Sequence, residues 1–455
     1  MAIQNFPPLR KDRPMSEDFG DGGSYSEYSS QSWFSRIGKA FGGIIVGLIL
    51  IPVALFVLFW NEGRAVDTAE SLAAADKNVV SISDEKVDPA NEKKLVHTHG
   101  NLKVDETLKD DAFGIEVKDM VKLSRAVEMY SWHEDVKTET RKKLGGGTET
   151  KKTYSYKKAW SSPDKYQDSS NFAKKKYHNP PWPDNFRPAE FTAQKIMLGA
   201  FVLSANLVKQ IDSAEPFPVK EEDAKNLPPS LKNSVSVKSG VFYKGQGTRG
   251  AKKTTTTDDW TDDNKKSTTT TNNEDADETV EDTDREASIG DLKVSYTVIK
   301  PHEVSVMAEQ SKDTFRAFQP ATAKATIEML SDGNKSAKQM ISEAEAANTM
   351  LTWIIRIVGF VVVAIGIFML FNPLVVLADV LPILGNITGF LLAVFSVFLA
   401  FALSFVTIAI AWIVYRPMLA FALLAIAGVA FVGVLFVLFK GRGKKTVSVP
   451  APRRR

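Results

Sequence analysis

A multi-pass membrane protein with four transmembrane α-helices and a large extracytoplasmic, mostly β (α+β) loop domain is the architecture the sequence predicts. Three observations carry it. The apolar residues collect in one block near residue 50 and in a long run after residue 350. The stretch between them is polar, with period-two patterning. Lys and Arg flank the helix blocks at both ends of the chain.

Residues 1–39 form a cytoplasmic N-tail rich in Ser, Gly, Tyr and Asp, read as disordered. The first span covers 40–60. Its charge-free core, FGGIIVGLILIPVALFVLFW at 41–60, is 20 residues long. At ~1.5 Å per residue it spans ~30 Å, the thickness of a hydrocarbon core. It is too long for a signal-peptide core and ends in Trp60, an interfacial anchor type. Pro52 would kink it. Gly42, Gly43 and Gly47 offer small residues for helix–helix packing. The second span is 350–372, with one charge, Arg356. A connector, 373–387, is apolar but broken by Pro373, Pro382 and Gly385, and reads as an interfacial or re-entrant element carrying Asp379. Spans at 388–414 and 417–439 follow, joined so closely that they form an antiparallel hairpin. The basic tail, 440–455, and the Arg36–Lys39 flank place both termini in the cytoplasm. The loop domain, 61–349, then lies outside it: in the periplasm of a bacterium, or in the endoplasmic reticulum or perinuclear lumen of a eukaryote.

Within the loop, residues 65–90 are polar and able to continue the first helix. LVHTHGNL from Leu95 alternates as a strand. So does the stretch from Val121 to Trp132. Residues 136–160 form a polar hairpin turning at Gly145–Gly147. A strand passes Phe242, and two more flank Lys300–His302. Ser204 caps a helix through Leu207 and Ile211, and Ser336 starts one that runs into the second span. Residues 251–288 are Thr- and Asp-rich, too poor in apolar residues to order themselves.

Composition limits the chemistry. The chain lacks Cys altogether, which removes disulfides, thiolate catalysis and Cys-based metal sites. A net charge of +3 gives no reason to expect nucleic acid as a partner. No nucleotide fingerprint or catalytic triad pattern occurs, so the chain is not read as an enzyme. No cofactor is expected. His97 and His99 share one strand parity, but two ligands are not a metal site. The basic segment 137–176, interleaved with Tyr154, Tyr156, Trp160 and Tyr166, reads first as a solvated hairpin face. Anionic lipid, an acidic partner or the acidic insert are its other possible contacts.

Several strings together resemble the LUMA family, the transmembrane protein 43 group. They are LFWNEGRAV at 58–66, LSRAVEMYSW at 123–132, NFAKKKYHNP at 171–180, GDLKVSY at 290–296, VVLADVLPILG at 375–385 and AWIVYRP at 411–417. They are collinear from about 41 to 440. The resemblance implies four spans with the large loop between the first two. It also implies a scaffold that organises membrane protein complexes and membrane structure. The eukaryotic relatives are associated with the inner nuclear membrane and endoplasmic reticulum; the features here hint at a bacterial member, in the cytoplasmic membrane with a periplasmic loop. Partners expected on this reading are the lipid bilayer, other membrane proteins and further copies of the chain as a homo-oligomer. Two other readings stand beside it: a lipid- or envelope-sensing signalling protein acting through the basic loop domain, and an interfacial membrane enzyme.

The candidate site gathers the motif and interfacial residues Trp60, Asn61, Glu62, Gly63, Arg64, Arg356, Asp379, Tyr415, Arg416 and Pro417. Arg356 lies about two turns into its span, a depth at which Arg pairs or snorkels. The sharp expectation is that Glu62 pairs with Arg356 or Arg416 and locks the loop domain to the bundle. The plain one is a set of independent interfacial anchors.

Overall fold

The computed structural model describes residues 24–245, 287–321, 323–422, 425 and 429. Three long helices dominate: α1 (Trp33–Asn78), α2 (Ala337–Ala378) and α3 (Pro382–Tyr415). Each is long and apolar enough to cross a membrane. Residues 417–422 are helical, and all but two positions in the remainder of the fourth expected span lie outside the described residues.

α1 and α2 are antiparallel and continue past the apolar stretch into the loop domain. Pro52 is accommodated within α1, which has 46 residues. Ser32 caps its start, accepting from the Ser35 amide. Ser336 and Gln339 form a reciprocal capping box at the start of α2. Small residues let these helices touch. A Cβ on Gly47 would lie 2.5 Å from the Gly366 carbonyl oxygen, and one on Gly359 would lie 2.6 Å from Leu58. Gly43 faces Met369, whereas Gly42 meets nothing within 4 Å. Leu58, Ala54, Val363, Ile367 and Ala400 form the bundle core. The opposite faces, including Ile45, Leu48, Ile49, Phe56, Phe398 and Phe401, are exposed, as lipid-facing surfaces must be.

Two expectations about boundaries are corrected. The connector 373–387 is not a separate re-entrant element. α2 runs through Pro373 to Ala378, and α3 begins at Pro382, leaving a turn at Asp379–Leu381. The Pro residues sit where helices tolerate them: Pro382 starts α3, in the first-turn position that needs no amide donor. The N-tail is not disordered up to residue 39. Ser24–Gln31 forms a strand, β1, and α1 starts at Trp33.

The loop domain is built on two main sheets. Strands β2 (Leu95–Lys103), β3 (Lys122–Lys142), β4 (Thr148–Ser161), β5 (Leu292–Ile299) and β6 (Glu303–Ser311) carry most of it. An eight-stranded sheet runs β1–β4–β3–β5 and on to Val241–Lys244 and Ser236–Lys238, with side pairings from 214–217 and 189–192. A seven-stranded sheet centres on β6 and β2. Phe113, Phe186, Phe201, Phe242, Leu123, Val127, Met129 and Val294 belong to the shared core. The odd-numbered residues of β3 are buried from Leu123 to Ser131, and Leu123, Val127 and Met129 enter the core, as the period-two pattern requires. Ser204 caps a one-turn helix, Ala205–Val208, shorter than the expected run to Ile211. The expected disordered insert lies outside the described residues except at 287 and 288. A smaller cluster of Leu72, Ala75, Leu95, Met307, Met340 and Ile341 ties the domain body to the upper ends of α1 and α2.

β3 does not stop at the domain. Beyond Tyr130, which still bonds to Gly290 and Asp291, its ladder among the described residues is with β4 alone, whose far side pairs with β1, and the three form a polar ribbon. The tip of this ribbon meets the other end of the bundle, where Gly145 N–H donates to the Val380 carbonyl (3.0 Å). The lengths agree: thirteen residues of strand from Tyr130 to Lys142 span ~40 Å, and α1 rises ~39 Å from Arg36 to Glu62. A domain confined to one side of the bilayer would reach only one end of the spans. This one touches both, through Gly145 and Lys142 at the α2–α3 turn.

Candidate functional site

The chain turns from apolar to polar at Asn61, inside an unbroken helix. There α1, α2 and α3 bring together most of the residues singled out in the sequence. Glu62, buried between the helices, accepts two hydrogen bonds from Arg356, from Nε and Nη2, both at 2.7 Å. The Trp412 indole N–H donates to the same carboxylate at 2.9 Å. The sharp expectation was Arg356 or Arg416; the partner is Arg356. Its guanidinium also lies over the Trp353 ring, 5.0 Å from the centroid. A fork-to-fork pair closed by an indole leaves neither charge alone at the edge of the apolar layer.

Around this pair sits a second layer. Asn61, wholly buried, donates to the Thr352 carbonyl at 3.3 Å. Arg64 donates to Asn348 Oδ1 and to Thr352 Oγ1, each at 2.9 Å. Asn348 in turn donates to the Ala65 carbonyl at 3.0 Å. Gly63 permits α3 to close: a Cβ there would lie 2.6 Å from the Tyr415 ring. Tyr415 also packs on Phe59, with centroids 5.3 Å apart. Trp60 is half exposed on the outer face and Pro417 opens the next helical stretch. Arg416 does not join the ion pair. It lines a cavity of about 330 Å³ together with Glu62, Glu345, Trp353 and Arg356.

Asp379, the last member of the set, lies at the opposite end of the bundle. It is buried in the α2–α3 turn, with Arg36 Nη2 on one oxygen and Lys142 Nζ on the other, each at 2.5 Å. Arg36 also donates to the Gly146 carbonyl at 2.5 Å, and the Trp33 indole donates to the Val376 carbonyl at 2.7 Å. Gly146 has φ +79°, and a Cβ there would strike the Trp33 ring. One carboxylate thus holds together the start of α1, the α2–α3 turn and the ribbon tip.

The sequence reading missed Trp412, Arg36 and Lys142 as members of these clusters. Trp412 lies inside the AWIVYRP string and is one turn from Tyr415, so its place was within reach. Lys142 was hidden in a run of basic residues. A third buried cluster, Asp110–Arg125–Tyr296, was also missed. Arg125 Nη1 lies 2.6 Å from both Asp110 oxygens and the Tyr296 hydroxyl donates to Asp110 at 2.7 Å. Burial, then the Asp110 charge, push the Tyr296 phenol well above its usual range. It joins β5 and β3 to the Thr107–Asp110 strand and is structural.

His97 and His99 do not converge on a metal. His97 is buried, with Nε2 2.8 Å from the Lys335 carbonyl, and His99 is exposed. Burial pulls the His97 pKa down, ahead of the Lys335 contact that opposes it. Among the described residues no group of three potential metal ligands occurs.

Comparison with known proteins agrees with this architecture. A family model described as Transmembrane protein 43 matches residues 129–417. Transmembrane protein 43 of Homo sapiens is 28% identical over 430 residues, 92% of this chain and 95% of that protein. The Pongo abelii protein of the same name is 27% identical over 430 residues, 92% of this chain and 94% of its own length. The Drosophila melanogaster homolog is 24% identical over 399 residues, 84% of this chain and 90% of that protein. No solved structure matches. A match over most of the chain, with the helix blocks and the β-rich loop in the expected order, means that the chain belongs to the transmembrane protein 43 family.

Proposed function

We propose that the chain is an integral membrane scaffold that organises membrane protein complexes, with its loop domain as the presenting surface. The observation that carries this reading is the double attachment. Glu62–Arg356–Trp412 clamps the bundle where the loop domain begins, and Arg36–Asp379–Lys142 holds the ribbon tip at the other end. A domain held at both ends of a helix bundle keeps a fixed orientation to the membrane, which suits a platform for partners better than a tethered, freely moving receptor. Both termini lie in the cytoplasm in this reading and the domain body outside it. Other membrane proteins and further copies of the chain are the partners.

Crosslinked co-purification from native membranes tests it, with proteins and lipids identified together. A reproducible set of protein partners, weakened by Asp379→Asn, is expected. Absence of protein partners with one enriched lipid would overturn the scaffold reading. It would favour a lipid sensor instead, whose headgroup site would be the Arg416–Trp353–Glu345 cavity.

A further inference from the structure

The ribbon poses a physical problem that the single chain leaves open. Its base bonds to Asp291 of the domain and its tip to Val380 and Asp379 at the far end of the bundle, so it covers the height of the apolar spans, ~40 Å. Its strands there read SYSEYSSQ in β1 and DVKTETRK at 135–142. These residues are exposed or half-exposed, and the helix faces at the same height present Leu48, Ile49, Val53 and Phe56. Hydrocarbon cannot satisfy polar strands or open strand edges; only helices and closed sheets cross it.

Both edges of the ribbon are open among the described residues. β1 pairs only with β4. On the outer edge of β3, Trp132 and Glu134 are satisfied by side chains. Asn179 takes the Trp132 amide at 2.7 Å and donates to its carbonyl at 2.9 Å, and Gln167 takes the Glu134 amide at 2.7 Å. Beyond them, from Val136 to Lys142, no strand pairs on that side among the described residues. The two open edges are level. β1 residues 24–31 face β4 residues 155–148, which face β3 residues 135–142. They are equal in length, and since each is antiparallel to β4 they point the same way.

We propose that copies of this chain join edge to edge through the ribbon, residues 24–31 of one pairing in parallel with residues 135–142 of the next. Two edges matched in height, length and direction are what a head-to-tail joint between identical subunits needs, and repetition about an axis closes it into a ring. Closure removes every open edge. It puts the polar ribbons around a common aqueous space, with the apolar helix faces outside on lipid. The proposal deepens the scaffold reading and rests on it only in requiring more than one copy.

The absence of Cys makes the test direct. Ser26 is level with Lys137 in the same chain, because Ser26 faces Thr153 and Thr153 faces Lys137. Two strand spacings, ~9.6 Å, separate them, beyond the ~7 Å that a disulfide bridges. Full-length protein in native membranes would carry Ser26→Cys with Lys137→Cys, or Ser26→Cys with Glu139→Cys to cover a stagger. Mild oxidation should give a ladder of linked oligomers from one of these pairs and no ladder from the single variants. A second variant, Val136→Pro, blocks the outer edge without removing a β3–β4 bond, and should reduce the assembled fraction in lipid nanodiscs at least several-fold. Assembled protein with reactive thiols but no ladder, or assembly unaffected by Val136→Pro, would overturn the ribbon joint and leave the scaffold reading standing. Protein that is monomeric in nanodiscs would overturn both the joint and the homo-oligomer.

Discussion

Glu62 has 3% exposure and Arg356, partly buried, is its bidentate partner, so deleting either leaves the other without its counter-charge. Breaking such a pair typically costs about 3–5 kcal/mol, whereas replacing both members is close to neutral. Glu62→Ala and Arg356→Met should each lower the melting temperature of the purified protein, and the double variant should recover much of the loss. Additive losses in that cycle would mean independent anchors and no lock. Outside the membrane, His302 offers a pH-dependent term. Its Nε2 is 2.9 Å from Asp332 and its Nδ1 2.9 Å from the Lys300 carbonyl. Burial pulls its pKa down, but these contacts and the Asp332 and Glu215 charges prevail and raise it. A raised folded pKa gives stability that is complete below the unfolded value, ~6.5, and is lost as pH rises through the folded value. His302→Ala should therefore destabilise more at pH 5.5 than at pH 8.5 in thermal melts. His97 runs the opposite way: its lowered pKa favours the fold above ~6.5 and withdraws that support as pH falls. Of the residues in these clusters, Glu62 and Arg356 were legible because a charge at the rim of an apolar block demands a partner. Lys142 was not legible: one Lys among many in a hairpin carries no local sign of where a tip so far downstream of the first span will land.

The apolar blocks announced the helices, since nothing but a helix satisfies its own backbone in lipid. Their true ends were less visible. α1 and α2 run far beyond the blocks because Ala-rich, polar continuations such as SLAAADKN and SAKQMISEAEAAN are good helix formers with a domain to pack on. The connector was misread because Pro373 and Pro382 look like breaks; Pro382 starts a helix, and Pro373 sits within one. β3 in its first half and β5 alternate in burial and were legible from period two, whereas β2 and β6 are buried over consecutive residues because they lie at the centre of their sheet. β1 was not, because SYSEYSSQ has no apolar face and is a strand only through its pairing with β4. At this scale the Gly47 contact is decisive. Gly47→Leu should push α1 from α2 and lower stability by about 1–3 kcal/mol, while Gly42→Leu, facing open space, should be nearly neutral in the same melts.

The molecule as a whole is a helix bundle whose loop domain holds it at two ends. The buried Asp379 opposes two cations, so Asp379→Asn should release the ribbon tip. Limited trypsin digestion is expected to cut at Lys142 or Lys143 several-fold faster in that variant, with the domain core resisting as before. The most direct test of the two-ended grip uses single cysteines in this Cys-free chain, in sealed, oriented membrane vesicles treated with an impermeant maleimide. Leu144→Cys marks the exposed ribbon tip, and Asp184→Cys marks the exposed domain body. The grip predicts that the two are labelled from opposite faces of the membrane, Leu144→Cys from the side of the α2–α3 turn. Labelling of both from one face would contradict it.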